Sequence, residues 1–210
     1  KTFYKFLTVT KSYFKENPTS TIEPPKTKTA LPKFLTLDES IELLDAVEND
    51  QQSKTRERDF CMITLFLNCG IRLSELCGIS MQDIDPALKS MRVLGKGNKE
   101  RIVYLNDACR DAMTDYKSAR NKMEIKDHSA FFLSSRGVRI SQRTVQHIIY
   151  KYLDMAGLGY RHLSVHKLRH TAATLMYQSG NVDIRVLKDI LGHEQLNTTQ
   201  IYTHVSNKSM

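Results

Sequence analysis

The chain has no apolar run close to the roughly 18 residues that a membrane-spanning helix needs. Its first residues, K-T-F-Y-K-F-L, lack the apolar centre and the small-residue cleavage site of a secretory signal peptide. Internal repeats are also missing, and low complexity is confined to residues 18–33. These absences argue against a membrane protein or a secreted protein, and they predict a soluble protein of the cytoplasm.

Cysteine is scarce, and no two cysteines form a C-x-x-C pair of the kind that binds zinc or exchanges disulfides. All four lie inside apolar stretches with helical spacing: Cys61, Cys69, Cys77 and Cys109. We therefore expect buried thiols that pack as small apolar side chains, in a reducing compartment where disulfides are rare.

One pair of histidines resembles half of a helical zinc site. His166 and His170 are four residues apart, as such sites require. However, Lys167 stands where the H-E-x-x-H pattern has glutamate, and Arg169 would repel a metal ion. The sequence therefore predicts no metal site.

Negative charge is in short supply, because 31 lysine and arginine residues outnumber 23 acidic ones and give a formal charge of +8. The resulting pI near 9.3 favours a polyanionic partner, with nucleic acid ahead of an anionic membrane surface. With 210 residues, of which 40% are hydrophobic, the chain can bury a core in one or two domains.

The first 33 residues differ in composition from the remainder. Residues 1–17 mix basic and aromatic side chains and predict one helix with an apolar stripe. The stripe would consist of Phe3, Phe6, Leu7, Thr10 and Phe14. Residues 18–33, rich in proline, threonine and lysine, predict a linker, and residues 34–210 the main domain.

Local signals predict several helices in the main domain. Thr36 with Glu39 is a capping-box signature for a helix that ends near Asn49. A second helix, residues 55–69, is apolar almost all round and should be buried, with Gly70 at its end. Further along we expect a helix over 106–124, a short strand over 130–134 and a helix capped by Ser141.

Arg72 opens a short helix, and Glu75 lies three residues further on. At this spacing the carboxylate can hold the guanidinium from the same helix face. An ordinary pair on the protein surface has the same spacing and stays the alternative at this point.

Two short strands, S-M-R-V-L and E-R-I-V-Y-L, flank the turn G-K-G-N-K and predict a β-hairpin with Lys96 at its tip. The hairpin is basic, and we expect Lys99 and Arg101 to contact DNA. Lysines that only protect a sheet edge would give a similar pattern. A lysine at the tip can also reach into a groove and deliver a proton.

The helix after Ser141 has a polar and basic first turn: Gln142, Arg143 and Thr144. The N-terminus of a helix with such side chains suits phosphates or base edges. Plain solvation explains these residues equally well.

From Ser164 to Val205 the chain concentrates polar side chains. If Ser164 caps a helix, then His166, Arg169 and His170 share one face, which suits an anion better than an apolar core. His193 follows a predicted helix end, and Tyr202 lies in T-T-Q-I-Y-T-H-V. A lone tyrosine there would be interpreted as a core aromatic.

Taken together, these stretches resemble the tyrosine recombinases, the family of phage-type integrases and chromosome-dimer resolvases. The blocks H-K-L-R-H, L-G-H and T-Q-I-Y-T-H-V occur in the family's order, after an upstream G-x-R-x-x-E block and a hairpin lysine. The match runs from about residue 31 to 205. It implies the catalytic-domain fold of that family, mainly α with a small β-hairpin (α+β). It also implies that residues 1–17 end an N-terminal helical core-binding domain, most of which lies outside this chain.

The resemblance assigns several residues to the phosphate. Arg72 and Arg169 would hold the two nonbridging oxygens, and His193 would hydrogen-bond the phosphoryl group. Glu75 and His170 would support them. Stabilising the charge on the phosphate is the first requirement for attack on a phosphodiester.

The remaining roles concern the nucleophile and the leaving group. Tyr202 would attack phosphorus while His166 accepts its proton, because a phenol with a pKa near 10 is mostly protonated at neutral pH. Lys96 would protonate the departing 5′ oxygen. The resemblance implies that neither a metal nor ATP is needed as a cofactor, because the guanidinium pair supplies the charge and the phosphotyrosine stores the ester.

The family also implies the partners. They are double-stranded DNA and further copies of the chain, as a tetramer on paired sites at the prokaryotic nucleoid, in integration and excision of mobile DNA or in resolution of chromosome dimers. Two alternatives remain. A type IB-like topoisomerase would share the chemistry without pairing two sites, and a non-catalytic DNA-binding regulator would not need Tyr202.

Overall fold

The computed structural model describes residues 2–22, 34–95, 97 and 99–179. The chain divides into two compact units, Lys1–Leu31 and Pro32–Met210. Within the described residues, no helix is both long and apolar enough to cross a membrane.

The first unit contains a shorter helix than the sequence suggested. Helix α1 spans Thr2–Lys5 and continues as one π-helical turn, Phe6–Thr10, so the prediction of one helix over residues 1–17 is wrong. A run of Thr8, Val9 and Thr10 contributes to the early end, because β-branched side chains lose rotamer freedom in a helix.

The described part of the second unit consists of six α-helices and a small sheet. The helices are α2 (Leu37–Glu48), α3 (Arg56–Cys69), α4 (Leu73–Gly78), α5 (Asp107–Arg120), α6 (Gln142–Met155) and α7 (Val165–Gln178). Single 3₁₀ turns occur at Met81–Asp83 and Gly159–Arg161. Strands β1 (Ser90–Leu94) and β2 (Glu100–Tyr104) form an antiparallel hairpin. The prediction of a mainly α fold with a small hairpin is confirmed.

The helix ends follow the local sequence signals. The Thr36 hydroxyl accepts from the Glu39 N–H and the Glu39 carboxylate accepts from the Thr36 N–H, so the predicted capping box forms. Gly70 ends α3 with φ of 56°, a left-handed conformation that glycine adopts without steric cost. The Ser141 hydroxyl accepts from the Thr144 N–H and caps α6.

Helix α3 is the centre of the core. Its residues from Cys61 to Leu67 are all buried, as the apolar sequence predicted, and α2, α5 and α7 pack around it. All four cysteines are buried free thiols, which confirms that expectation. Because α3 is fixed on all sides, the turn that follows it at Gly70 starts from a rigid base.

The expected short strand over residues 130–134 is wrong. Only isolated bridges form there, at Ala130 and Leu133. Side chains form hydrogen bonds with backbone groups of this segment instead. The Tyr116 hydroxyl donates to the Phe131 carbonyl and accepts from the Leu133 N–H, both at 3.0 Å. A buried backbone satisfied in this way does not need a strand partner.

Candidate active site

Arg72 stands directly at the start of α4, two residues after the turn at Gly70. Its backbone N–H donates to Glu75 Oε2 at 2.9 Å, and its Nη1 donates to Glu75 Oε1 at 2.6 Å. Glu75 is only 2% exposed, so this is not the surface pair left open by the sequence. The carboxylate holds both ends of Arg72 and fixes the direction of its guanidinium.

A second guanidinium reaches the same carboxylate from the hairpin. Arg101 Nη2 donates to Glu75 Oε2 at 2.9 Å. Burial raises the pKa of Glu75, but the charge of Arg101 and the hydrogen bonds from Arg72 and Arg101 outweigh it, so the pKa lies below its ordinary value. Glu75 is therefore ionised, and two guanidinium groups around one carboxylate leave one net positive charge.

The turn of the hairpin approaches this pair closely at Gly95. A Cβ at this position would lie 3.4 Å from Glu75 Oε1 and 3.8 Å from Arg72 Nη1. The Gly95 N–H donates to the Lys99 carbonyl at 2.8 Å and closes the turn. The backbone of the hairpin turn thus lies next to the Arg72–Glu75 pair, at a distance where an added Cβ would be in ordinary van der Waals contact with it.

Helix α7 brings three more of the predicted residues to this region. Arg169 is 3% exposed, and its Nη1 donates to the Gly70 carbonyl, at the turn that leads to Arg72. The rings of His166 and His170 meet edge to face, with centroids 4.6 Å apart. The predicted shared face of His166, Arg169 and His170 therefore exists, and it lies beside the start of α4.

The surroundings of His166 favour the neutral form of its ring. Partial covering of its ring lowers its pKa, and the positive charges of Arg169, Lys167 and Arg72 lower it further below the ordinary value of 6.5. Arg72 and Arg169 thus both disfavour the charged form of this ring. A neutral imidazole at pH 7 can accept a proton.

Helix α7 is held in position from its buried side. The Thr171 hydroxyl accepts from the Leu35 N–H at 2.9 Å and donates to the Lys167 carbonyl at 3.0 Å. Leu168 is fully buried, and α7 packs on α3. The helix that carries Arg169 is thus anchored to the rigid centre of the unit.

The remaining predicted residues fall into two groups. Gln142, Arg143 and Thr144 form the first turn of α6, where Gln142 and Arg143 are exposed, and Lys99 is exposed at the end of the hairpin turn. Lys96, His193 and Tyr202 lie outside the described residues. Of the residues that the resemblance assigns to the site, the structure therefore describes Arg72, Glu75, His166, Arg169 and His170.

Three features of the site were not foreseen from the sequence. Gly70 was predicted as a helix end, but not as the carbonyl that binds Arg169, and Gly95 was predicted only as a turn residue. The contact of Arg101 with Glu75 was the third, and its expected contact with DNA stays a prediction. Gly95 directly precedes Lys96, and Gly70 lies two residues before Arg72, which was the available signal.

The described residues contain no group of three or more histidine, cysteine or acidic side chains that could hold a metal ion. The rings of His166 and His170 instead contact each other, beside the buried Arg169. That the chemistry needs no metal and no other cofactor stays a prediction.

Comparison with known proteins gives consistent matches along the chain. The family model described as the phage integrase family matches residues 33–209. A tyrosine recombinase XerC of Caldanaerobacter subterraneus subsp. tengcongensis is 48% identical over 210 residues, covering 100% of this chain and 58% of that protein. A tyrosine recombinase XerC of Thermodesulfovibrio yellowstonii is 39% identical, covering 100% of this chain and 70% of that protein. The chain thus spans 58–70% of the length of these two relatives.

Solved structures give the same result for the fold. The crystal structure of XerA recombinase matches with a TM-score of 0.75 and 30% identity, covering 100% of this chain and 79% of that one. The post-cleavage complex of XerH recombinase with a palindromic difH substrate matches with a TM-score of 0.76 and 26% identity, covering 89% and 53%. These likenesses confirm the catalytic-domain fold that the sequence resemblance implied.

Proposed function

Because the chain belongs to the phage integrase family, we propose that it is a site-specific DNA recombinase that cleaves and rejoins DNA strands through a 3′-phosphotyrosine on Tyr202. The observation that carries the proposal is the arrangement of Arg72 and Arg169 beside His166. Two fixed guanidinium groups with a neutral imidazole between charged neighbours suit a phosphodiester, which carries negative charge and receives a nucleophile.

In the cleavage step, Arg72 and Arg169 bind the nonbridging oxygens of the scissile phosphate. The Tyr202 hydroxyl attacks phosphorus and transfers its proton to His166, whose lowered pKa keeps it neutral beforehand. The bond from phosphorus to the 5′ oxygen breaks as Lys96 protonates that oxygen. The products are a 3′-phosphotyrosine and a free 5′ hydroxyl.

Rejoining is the reverse of cleavage with another strand. A 5′ hydroxyl attacks the phosphotyrosine and gives up its proton to Lys96, while Tyr202 leaves as a phenol after taking a proton back from His166. His193 hydrogen-bonds the phosphoryl group in both directions, and His170 supports Arg169. One ester replaces another in each step, so the reaction needs no ATP.

The DNA partner would meet a basic surface around this site. Lys99 at the hairpin turn and Gln142, Arg143 and Thr144 in the first turn of α6 are the proposed contacts. Each phosphate contact should contribute about −0.9 to the slope of log affinity against log salt. We propose that Arg101 serves DNA only indirectly, through its contact with Glu75.

We further propose the domain roles and the assembly that the family suggests. Residues 1–17 end a core-binding domain, residues 18–33 link it to the catalytic domain, and residues 34–210 form that domain. Four copies act on paired DNA sites at the nucleoid, in the cytoplasm. The reaction serves integration and excision of mobile DNA or resolution of chromosome dimers.

Covalent trapping tests the proposal. The chain is incubated with nicked genomic fragments of its source organism, in which the short released strand diffuses away, and the mixture is denatured in SDS. We expect a protein–DNA adduct that Tyr202→Phe abolishes and that Tyr150→Phe, an exposed tyrosine of α6, leaves unchanged. Sequencing the trapped DNA identifies the site.

The alternatives give different results in the same experiment. DNA binding without any adduct would contradict the proposal and indicate a non-catalytic regulator. An adduct together with relaxation of supercoiled plasmid, but without exchange between two site-bearing fragments, would indicate a topoisomerase.

A further inference from the structure

The buried carboxylate of Glu75 is shared between two elements of the site. Its Oε1 binds Arg72 Nη1 at 2.6 Å, and its Oε2 binds the Arg72 backbone N–H and Arg101 Nη2, each at 2.9 Å. Helix α4 and strand β2 therefore meet at one ion cluster. In the proposed reaction, Arg72 is the arginine of this cluster that binds the scissile phosphate.

Arg101 differs from the other arginine of the hairpin in the direction of its side chain. In the antiparallel register Arg101 pairs with buried Val93, and its side chain is 16% exposed. Arg92 pairs with Ile102 on the opposite face, where its side chain is 48% exposed. Alternation along the strands thus directs Arg101 towards Glu75 and Arg92 towards solvent.

The charge balance explains what Arg101 contributes. With two guanidinium groups and one carboxylate, the cluster keeps one positive charge for an anion. Without Arg101, Glu75 would neutralise Arg72 alone and would draw its guanidinium into a closed pair. A buried site with low dielectric makes this difference large, because charges there are poorly screened.

We propose that Arg101 is a positioning residue of the strand-cleavage reaction: by sharing Glu75, it leaves Arg72 oriented and positively charged for the scissile phosphate. This inference rests on the proposed function. The close approach of Gly95 to Glu75 and Arg72 supports it, since the hairpin backbone packs against the same pair.

The test compares Arg101→Met with Arg92→Met, which removes the same charge from the same hairpin without touching Glu75. Both variants and the wild type react with the trapped DNA site, carrying at the cleavage position a normal phosphate or, in separate substrates, each of the two methylphosphonate stereoisomers. A methyl group in place of a nonbridging oxygen removes the charge that Arg72 would stabilise. Adduct formation is measured as a single-turnover rate, and thermal unfolding checks the fold of each variant.

We expect Arg101→Met to slow adduct formation on the phosphate by about 10- to 100-fold, as for other groups that orient a residue in contact with the reacting atoms. On one methylphosphonate stereoisomer the same variant should lose less than about threefold, because the charge is no longer present. Arg92→Met should change neither rate by more than about threefold, as an exposed partner contributes little.

Two further variants separate charge from shape. Arg101→Lys keeps a cation near Glu75 and should recover most of the rate on the phosphate. In a Glu75→Gln background, the Arg101→Met change should cost less than about threefold, because there is no carboxylate left to neutralise. If Arg101→Met slows adduct formation by the same factor in the wild-type and the Glu75→Gln backgrounds, the inference is wrong.

Other outcomes are equally decisive. Equal losses on phosphate and on both methylphosphonates, with weaker DNA binding, would make Arg101 an ordinary DNA contact and overturn the inference. Wild-type adduct with an unaffected Arg101→Met variant would overturn the inference and leave the proposed function intact. Absence of adduct from the wild type would overturn both.

Discussion

Two buried carboxylates of this molecule, those of Asp59 and Glu75, bind different numbers of arginine side chains. Asp59 in α3 binds one guanidinium, that of Arg58, with Nε donating at 2.8 Å. The other nitrogens of Arg58 donate to the Leu133 carbonyl and the Thr55 hydroxyl, each at 2.9 Å. Glu75 in α4 instead binds the guanidinium groups of two arginines. The first cluster is neutral and closed, and the second keeps a positive charge.

The pKa values of the two carboxyl groups reflect this difference. Burial raises the pKa of Asp59 above its ordinary value, and its partner Arg58 opposes this without overcoming it. For Glu75, Arg101 and Arg72 together overcome the effect of burial, and the pKa is lowered. A single buried ion pair is thus a structural element here, while a carboxylate with two guanidinium groups leaves charge available for an anion.

The first prediction concerns stability. Arg58→Met leaves the Asp59 carboxylate buried without its cation and should lower the free energy of unfolding by about 3–5 kcal/mol. Urea unfolding measures the change. As a matched control, Arg56→Met removes a partly exposed arginine paired with Glu57 and should cost less than about 1 kcal/mol. Similar values for the two variants would contradict the structural role of the Arg58 pair.

The second prediction concerns Arg72, whose loss should affect the reaction rate much more than the stability. Arg72→Gln leaves Glu75 paired with Arg101, so the free energy of unfolding should change by less than about 1.5 kcal/mol. The rate of adduct formation should nevertheless fall about 10²- to 10³-fold, as when one donor to the transition state is lost. Single-turnover trapping and urea unfolding of the same preparation separate the two effects. If Arg72→Gln lowered the free energy of unfolding as much as Arg58→Met does, the proposed difference between the two carboxylate clusters would be contradicted.

The third prediction uses the opposite pKa shifts. Glu75, with a lowered pKa, stabilises the fold above its ordinary pKa of 4.5, and this contribution is lost as the pH falls through the folded-state value. Asp59, with a raised pKa, stabilises the fold below its ordinary pKa of 3.8, and this contribution is lost as the pH rises. Between pH 3 and 6, acid destabilisation should therefore be weaker in Glu75→Gln and steeper in Asp59→Asn. Urea unfolding across this range checks both signs, and equal slopes would contradict them.

The fourth prediction has the smallest expected effect and concerns the pKa of His166, which the positive charge of Arg72 lowers. Because Arg72 contributes to the low pKa of His166, Arg72→Gln should raise that pKa towards 6.5, and Arg58→Met should leave it unchanged in the folded protein. An NMR titration of the His166 ring protons measures the pKa without requiring activity. A pKa that does not respond to Arg72→Gln would place the surplus charge away from this histidine.

Local signals were sufficient to predict helices α2, α3 and α6 and one part of the site. Thr36 with Glu39, Ser141 and Gly70 mark helix ends through groups only a few residues apart, and the Arg72–Glu75 pair has helical spacing. Such contacts depend on the local chain alone, so a sequence pattern can reveal them.

The rest depended on contacts between distant elements. Arg101 on β2 reaches Glu75 because the hairpin packs against α4 through β1, and Arg169 reaches the Gly70 carbonyl because α7 packs on α3. The strand expected at residues 130–134 failed for a similar reason, since the Tyr116 side chain replaces a strand partner. No pattern within one segment specifies these tertiary partners.

The most direct test of the account is to map the covalent bond. Adduct trapped on the recovered DNA site is digested with nuclease and protease, and the modified peptide is sequenced by mass spectrometry. The expected result is a nucleotide attached through its 3′ phosphate to Tyr202, with the yield strongly reduced in Arg72→Gln. A nucleotide on any other residue, or a yield that does not depend on Arg72, would contradict the account.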